Sequence, residues 1–436
     1  MLDRRARRCS APVLLALSLV VIPRAGEAQG HGGAHDPLHR RATLVRGGVH
    51  VLDAGTLGTL ARAERGASAL VFAAKAPQLR RLSRGDVIVA GVAPSTPRGL
   101  LRRVTRVDRR GGRLVVETAP AGLEDVFWSA RFRHRAQMRP ADIAVARPEV
   151  EGLLVPDAAT QAWSPGPIEF DLLDVVLFDL DGDPATTGDQ VRATGTLGAE
   201  PSFDLDVDIS WGRVRRLEFT NTTRLYATLE LDARAAARFS HMVTVASVQF
   251  APVTVMVGPI PLVLTPELDV HVGVSGSVTA ELTTSVTAGT AVAAGLVYEN
   301  DQWRAFADLP DGLEDIELDW SPPEASGEAS VEVQAGPQLT LLLYDLGGPY
   351  ASAYGYSVAW ARLQPPTWAL DVGIRANLGV AVRTPGTGEL ARYGVEVFDE
   401  RWRVAEGPLP GAPAEARPAT RSGSRPPRAD GYLTNR

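Results

Sequence analysis

From residue 268 to residue 298 every even position except Gly276, Thr284 and Thr290 is apolar, and none is charged. The odd positions from 267 to 285 are Glu, Asp, His, Gly, Ser, Ser, Thr, Glu, Thr and Ser. A period of two puts one face in a core and the other in water, which is the habit of a β-strand; a helix would scatter the same residues around its circumference. The run far exceeds an ordinary strand of about 5–6 residues. It predicts one very long strand or a hairpin that breaks near Gly289. Phe203, Leu205, Val207 and Ile209 alternate with Asp204, Asp206, Asp208 and Ser210, and Leu225, Ala227, Leu229 and Leu231 with Tyr226, Thr228, Glu230 and Asp232. Leu370, Val372, Ile374, Ala376 and Leu378 make a further apolar line. Gly/Pro clusters such as "VGPIPL", "DLGGPY" and "LQPPTW" mark the turns. One-faced alternation of this length predicts an all-β chain whose residues 166–404 form a large antiparallel β-sandwich or rolled sheet with long strands.

Shorter signals precede it. "VHVLD", "ALVFAA", "DVIVAG", "LLRRVTRVD" and "RLVVETA" are β-branched runs bounded by Gly, Pro or charge, and predict a small β module over 43–135. Arg109-Arg110-Gly111-Gly112 has the residues of a tight hairpin turn. "APQLRRL" and "PAGLEDVF" read as single helical turns. Residues 29–42 form a flexible lead, 136–165 a connection, and 405–436 a disordered Pro/Arg-rich tail without periodicity.

The first 28 residues set the expected compartment. Arg4, Arg5, Arg7 and Arg8 precede the apolar "APVLLALSLVVI", and Gly26 and Ala28 supply small residues for cleavage after Ala28. This is the pattern of a signal peptide, too short for a bilayer span of about 20 residues. The chain is therefore expected to be exported, to the periplasm, the extracellular space or the cell surface, with no transmembrane helix. Its only cysteine, Cys9, falls in the leader, so the mature chain is expected to carry no disulfide. Charge is uneven: residues 43–139 hold 18 Arg/Lys against 7 Asp/Glu, and residues 140–404 hold 15 against 38. Two units with different surfaces follow, which either attract each other or turn the basic one toward an anionic partner.

Chemistry-bearing motifs are few. Residues 175–182, "VVLFDLDG", resemble the nucleophile loop of haloacid-dehalogenase-type phosphatases, with Asp179 as nucleophile and Asp181 as acid/base. That family needs a parallel α/β sheet and a downstream cation. Here alternating strands follow, and the only lysine is Lys75, upstream. The loop is read instead as an acidic turn. Its Asp179, Asp181, Asp183 and Asp189 are hard oxygen donors and candidate calcium ligands, although the spacing is not that of an EF-hand. Asp204, Asp206 and Asp208 share a strand face and repel unless neutralised by calcium or by arginines such as Arg213, Arg215 or Arg216. Arg102, Arg103, Arg106, Arg109, Arg110 and Arg113 crowd one hairpin. They suggest a basic stripe for an anionic surface or polysaccharide, or one that docks on the acidic body; aromatic residues for stacking bases are missing, so no specific nucleic-acid binding is expected. His31, His35 and His39 are spaced for a metal only if helical, in a Gly-rich lead; His134, His241 and His271 are isolated, and Arg84-Gly85-Asp86 sits at a strand entry. No Gly-x-Ser-x-Gly, His-Glu-x-x-His or phosphate-loop motif occurs.

Several separated stretches carry a family likeness: "LSRGDVIVAG", "GLLRRVTRVDRRGGRLVVETAPAGLEDVF", "SFDLDVDISW", "FAPVTVMVGPIPLVLTPELDV", "AGPQLTLLLYDLGGPYASAYGY" and "LARYGVEVFDE". Over most of residues 45–404 the chain resembles a largely uncharacterised family of secreted β-rich bacterial proteins, often found with immunoglobulin-like or fibronectin-type modules. The resemblance implies no catalytic residue. The expected function is a secreted, non-enzymatic binding or structural protein. Its alternatives are a carrier of an apolar ligand, such as a lipid, inside a rolled sheet, a secreted glycoside hydrolase with two distant carboxylates, and an outer-membrane β-barrel with the apolar rows outward.

Overall fold

In the computed structural model, which describes residues 42–73, 77–156, 166–183, 185–234, 238–308, 310, 312–384 and 388–409, the alternation becomes strands. The expected signal peptide, His31, His35, His39, Lys75 and the tail beyond residue 409 lie outside the described residues. After β1 (Leu44–Val45) come β2 (Val49–Val51), β3 (Leu60–Ala63), β4 (Ala69–Ala73), β5 (Val87–Ala90), β6 (Leu100–Arg110) and β7 (Arg113–Pro120). The last six make the module's sheet in the order β2-β5-β6-β7-β4-β3, with only β2 and β5 parallel. Leu70, Phe72, Ile88, Val104 and Val116 fill its own core. Gly111 and Gly112 join β6 to β7 at φ 57° and 73°, a left-handed pair that side chains other than Gly or Asn resist. The two expected helical turns form, at Pro77–Arg81 and Leu123–Val126.

The body comprises β8 (Phe127–Gln137), β9 (Ile143–Pro148), β10 (Leu153–Leu154), β11 (Ile168–Asp179), β12 (Gln190–Ser210), β13 (Arg213–Ala233), β14 (Arg238–Phe250), β15 (Val253–Val257), β16 (Ile260–Val278), β17 (Leu282–Glu299), β18 (Gln302–Asp308), β19 (Glu317–Trp320), β20 (Glu324–Ala325), β21 (Ala329–Leu343), β22 (Gly347–Leu363), β23 (Pro366–Thr384) and β24 (Gly388–Pro408). One sheet runs β1-β8-β12-β13-β17-β18, with β11 also beside β12, β10 beside β11, and β19 and β20 beside β17. The other runs β24-β23-β22-β21-β16-β14-β9, with β15 beside β16. The two sheets face each other, β17 over β22 and β23, β13 over β21 and β22. The all-β expectation holds: a small N-terminal β module is followed by large, wholly antiparallel sheets with long strands. The apolar rows read from the sequence point between them. Phe203, Val207, Ile209, Leu370 and Leu378 are buried in one core, while Asp204 and Asp206 lie on the opposite side of β12.

Three expectations are corrected. The run 268–298 breaks at residues 279–281, not at Gly289, and its halves are not a hairpin: β16 belongs to one sheet and β17 to the other. A three-residue link preserves the parity of the alternation, so both halves keep their even positions inward and the crossing leaves no mark on the pattern. Gly289 stays in mid-strand, opposite Tyr226. The module ends at Pro120, because β8 pairs with β12 rather than with the module, and β9 adds an edge strand inside the expected connection. At the other end, β24 runs to Pro408, where Ala405 to Pro408 pair with Leu370 to Thr367.

Candidate functional site

Strand pairing brings small side chains together at one end of the space between the sheets. On one sheet Leu197, Ala227 and Ala288 stand opposite one another across β12, β13 and β17. On the facing sheet Ala335, Gly355 and Ile374 do the same across β21, β22 and β23. Between them lies an apolar slot of about 100 Å³, walled also by Leu225, Val286 and Val372. A methyl group built on Gly355 would meet no atom within 4 Å, so this backbone faces open space. Leu225, Val292, Ala353 and Ile374 form a small cluster detached from the main core. The hydroxyl oxygens of Thr284 and Thr290, both on β17 at the slot, are buried and find no partner among the described residues. Protein interiors are normally filled to crystal-like density. At roughly 24 cal/mol per Å³, a void of this size costs about 2 kcal/mol. It is a feature that something must offset.

The acidic turn joins β11 to β12, two antiparallel strands, and not a strand to a helix as the phosphatase loop requires. Three of the four predicted calcium ligands converge: one carboxylate oxygen each of Asp179, Asp181 and Asp189 lies within 4.8 Å of the others. Asp183 stands apart and accepts the Ala185 N–H at 3.0 Å. The loop also supplies its own donors. Gly182 N and Gln190 Nε2 donate to Asp179 at 2.8 and 2.7 Å, and Asp183 N and Thr186 Oγ1 donate to Asp181 at 2.8 and 3.0 Å. These bonds hold the Asp181 carboxyl below its ordinary pKa. Calcium takes 6–8 oxygens, so three carboxylates alone do not define a site.

Asp204 and Asp206, two of the three acids in the Asp204/Asp206/Asp208 row, meet arginines, but not the ones expected. Arg133 and Arg135, on β8, both grip Asp204 and hold its carboxyl below the usual range; Arg131 lies 3.8 Å from Asp206. Arg216 turns instead to Glu218 and Glu299. The basic stripe does not form as one line. Arg103 pairs with Asp125, Arg106 with Glu117 at 3.6 Å, and Arg109 donates to the carbonyls of Leu79, Arg80 and Leu82. Arg113 is exposed, Arg102 is buried, and the Arg110 side chain lies outside the described ones. Module and body meet through Arg98 and Asp345 at 2.6 Å. Asp86 of the Arg-Gly-Asp tripeptide caps its own turn through Ser83 N and binds His50 at 2.9 Å.

Sequence reasoning missed the slot because it is made of absences, small side chains on six strands from separate parts of the chain. Its one local sign was Gly355 at an inward position of an otherwise regular strand. Comparison with known proteins adds no relative: no protein-family model, curated protein or solved structure matches the chain.

Proposed function

We propose that the chain is an exported, non-catalytic binding protein that takes an apolar chain, such as a lipid acyl tail, between its two sheets. The slot walled by Leu225, Ala227, Ala335, Val372 and Ile374 carries this reading. An engineered apolar cavity of about 150 Å³ holds benzene, so a slot of about 100 Å³ has room for a few methylenes of a hydrocarbon chain. Burying alkyl groups there gains about 0.8 kcal/mol per methylene, enough for a few methylenes to offset the cost of the void. The hydroxyls of Thr284 and Thr290, six residues and so about 20 Å apart along β17, offer hydrogen-bond donors at two separate points of the slot wall. No helix among the described residues is long and apolar enough to cross a membrane. The charged outer side of β12, with Asp204 and Asp206 beside arginines, favours this reading over a barrel in lipid, whose apolar rows face outward. Acids engaged by arginine, such as Asp371 between Arg401 and Arg403, favour it over a glycoside hydrolase.

Native mass spectrometry of full-length protein purified without detergent tests the proposal. One-to-one adducts of lipid mass are expected, together with uptake of a fatty acid by the stripped protein. Protein that arrives bare and takes up no fatty acid would overturn it.

A further inference from the structure

A second cavity lies where the module meets the body, and it contains a buried cation. Leu100, Arg102 and Val104 share one side of β6, the side that carries the module's own core; Leu101, on the other side, joins the core of the body. Arg102 is 5% exposed. Its Nε donates to Thr118 Oγ1 at 3.0 Å and its Nη2 reaches the Thr118 carbonyl at 3.5 Å. A guanidinium has five N–H donors, and no carboxylate faces this one among the described residues. The acid in the cavity wall, Asp345, is held by Arg98. Arg102 lines a cavity of about 180 Å³ together with Leu60, Leu70, Leu100, the segment 95–99 that carries Arg98, and the body turn Tyr344–Leu346. Tyr344 Oη donates to the Pro261 carbonyl at 2.6 Å and fixes that turn in place.

We propose that this cavity binds a small monocarboxylate with an apolar body, its carboxylate paired to Arg102. A buried charge without a counter-ion is destabilising, and a carboxylate matches the planar fork of a guanidinium with two parallel hydrogen bonds. The leucine walls fit an apolar body of about the size of benzene. One unpaired cation, in a wall where Arg98 already pairs with Asp345, matches a single negative charge better than the two of phosphate. Burial alone brings the Arg102 pKa down to about 10, as expected for a cation that lacks an anion beside it. The site differs from an exposed basic stripe in taking a small molecule and not a polymer.

Isothermal titration calorimetry on the full chain, with benzoate, benzyl alcohol and inorganic phosphate as probes, decides the matter. Benzoate is expected to bind one-to-one, at least about tenfold tighter than the alcohol. Arg102→Met removes that preference and leaves a protein that unfolds at the same or higher denaturant, since an apolar chain of similar length replaces an unpaired charge. If this variant fails to fold, the contrast between benzoate and benzyl alcohol on the unaltered protein stands alone. Gly355→Leu, in the inter-sheet slot, leaves benzoate binding unchanged. The assignment is overturned by equal affinity for acid and alcohol, by no benzoate binding at about 10 mM, by tighter phosphate binding, or by loss of benzoate binding in Gly355→Leu.

Discussion

The two ends of the space between the sheets are built from the same strands and filled differently. Along β12 and β13, one end presents Phe203, Val207, Ile209, Leu217 and Phe219, all buried, with Phe203 and Phe219 among the largest fully enclosed side chains. The other end presents Leu197, Ala199, Leu225 and Ala227, facing Ala335 and Gly355, and leaves the slot. Alternation is equally regular at both ends, so hydrophobic pattern alone does not separate them. Side-chain volume does. The phenylalanine end fills the space between the sheets, and the alanine and glycine end leaves part of it open.

This contrast can be broken by mutation. Phe219→Ala removes a fully enclosed ring from the filled end and is expected to cost about 3–5 kcal/mol. Leu225→Ala opens a wall that already borders empty space and should fall at the low end for such a change, about 2 kcal/mol. Urea unfolding monitored by circular dichroism measures both, and equal losses would erase the distinction between the ends. A smaller effect comes from pH. Burial holds His134 and His271 below the ordinary imidazole pKa, against the pull of Asp204 on the first and Asp269 on the second; Arg392 adds to the lowering at His271. Both rings therefore favour the neutral form more strongly in the folded state than in the unfolded chain. The stability this contributes is complete above about pH 6.5 and is lost as pH falls through the unfolded value toward the lower folded one. Glu267, raised by burial, acts with the opposite sign in its own, more acidic range. Replacing both histidines by Gln should flatten the unfolding midpoint between about pH 5 and 7; an unchanged slope would assign the acid sensitivity elsewhere.

Much of the fold was legible because a period of two leaves little choice of backbone, and because burial follows it position by position from Phe203 to Ile209. What was not legible depends on which strands become neighbours. The alternation from 268 to 298 hides the passage from one sheet to the other, since an odd-numbered link keeps every even residue inward. The partners of Asp204 come from Arg133 and Arg135, about seventy residues upstream, while the nearer Arg216 is drawn to Glu218 and Glu299. Arg102 and Arg103 are adjacent in sequence and looked alike as members of a basic stripe. The pleat sends one into the module beside Leu100 and the other to Asp125. The acidic turn was legible as a turn, and Asp179, Asp181 and Asp189 do converge there. That its carboxylates are largely occupied by backbone N–H groups, Thr186 and Gln190 was not, because such bonds depend on loop geometry.

Equilibrium binding of a fluorescent fatty acid to the unaltered protein and to Gly355→Leu tests the central claim most directly. The new side chain grows from an extended backbone into open space, so the variant is expected to keep its stability to within about 1 kcal/mol. The account predicts saturable one-to-one binding by the unaltered chain and at least about a tenfold loss in the variant. Equal binding by both, or none by the unaltered chain, would contradict it.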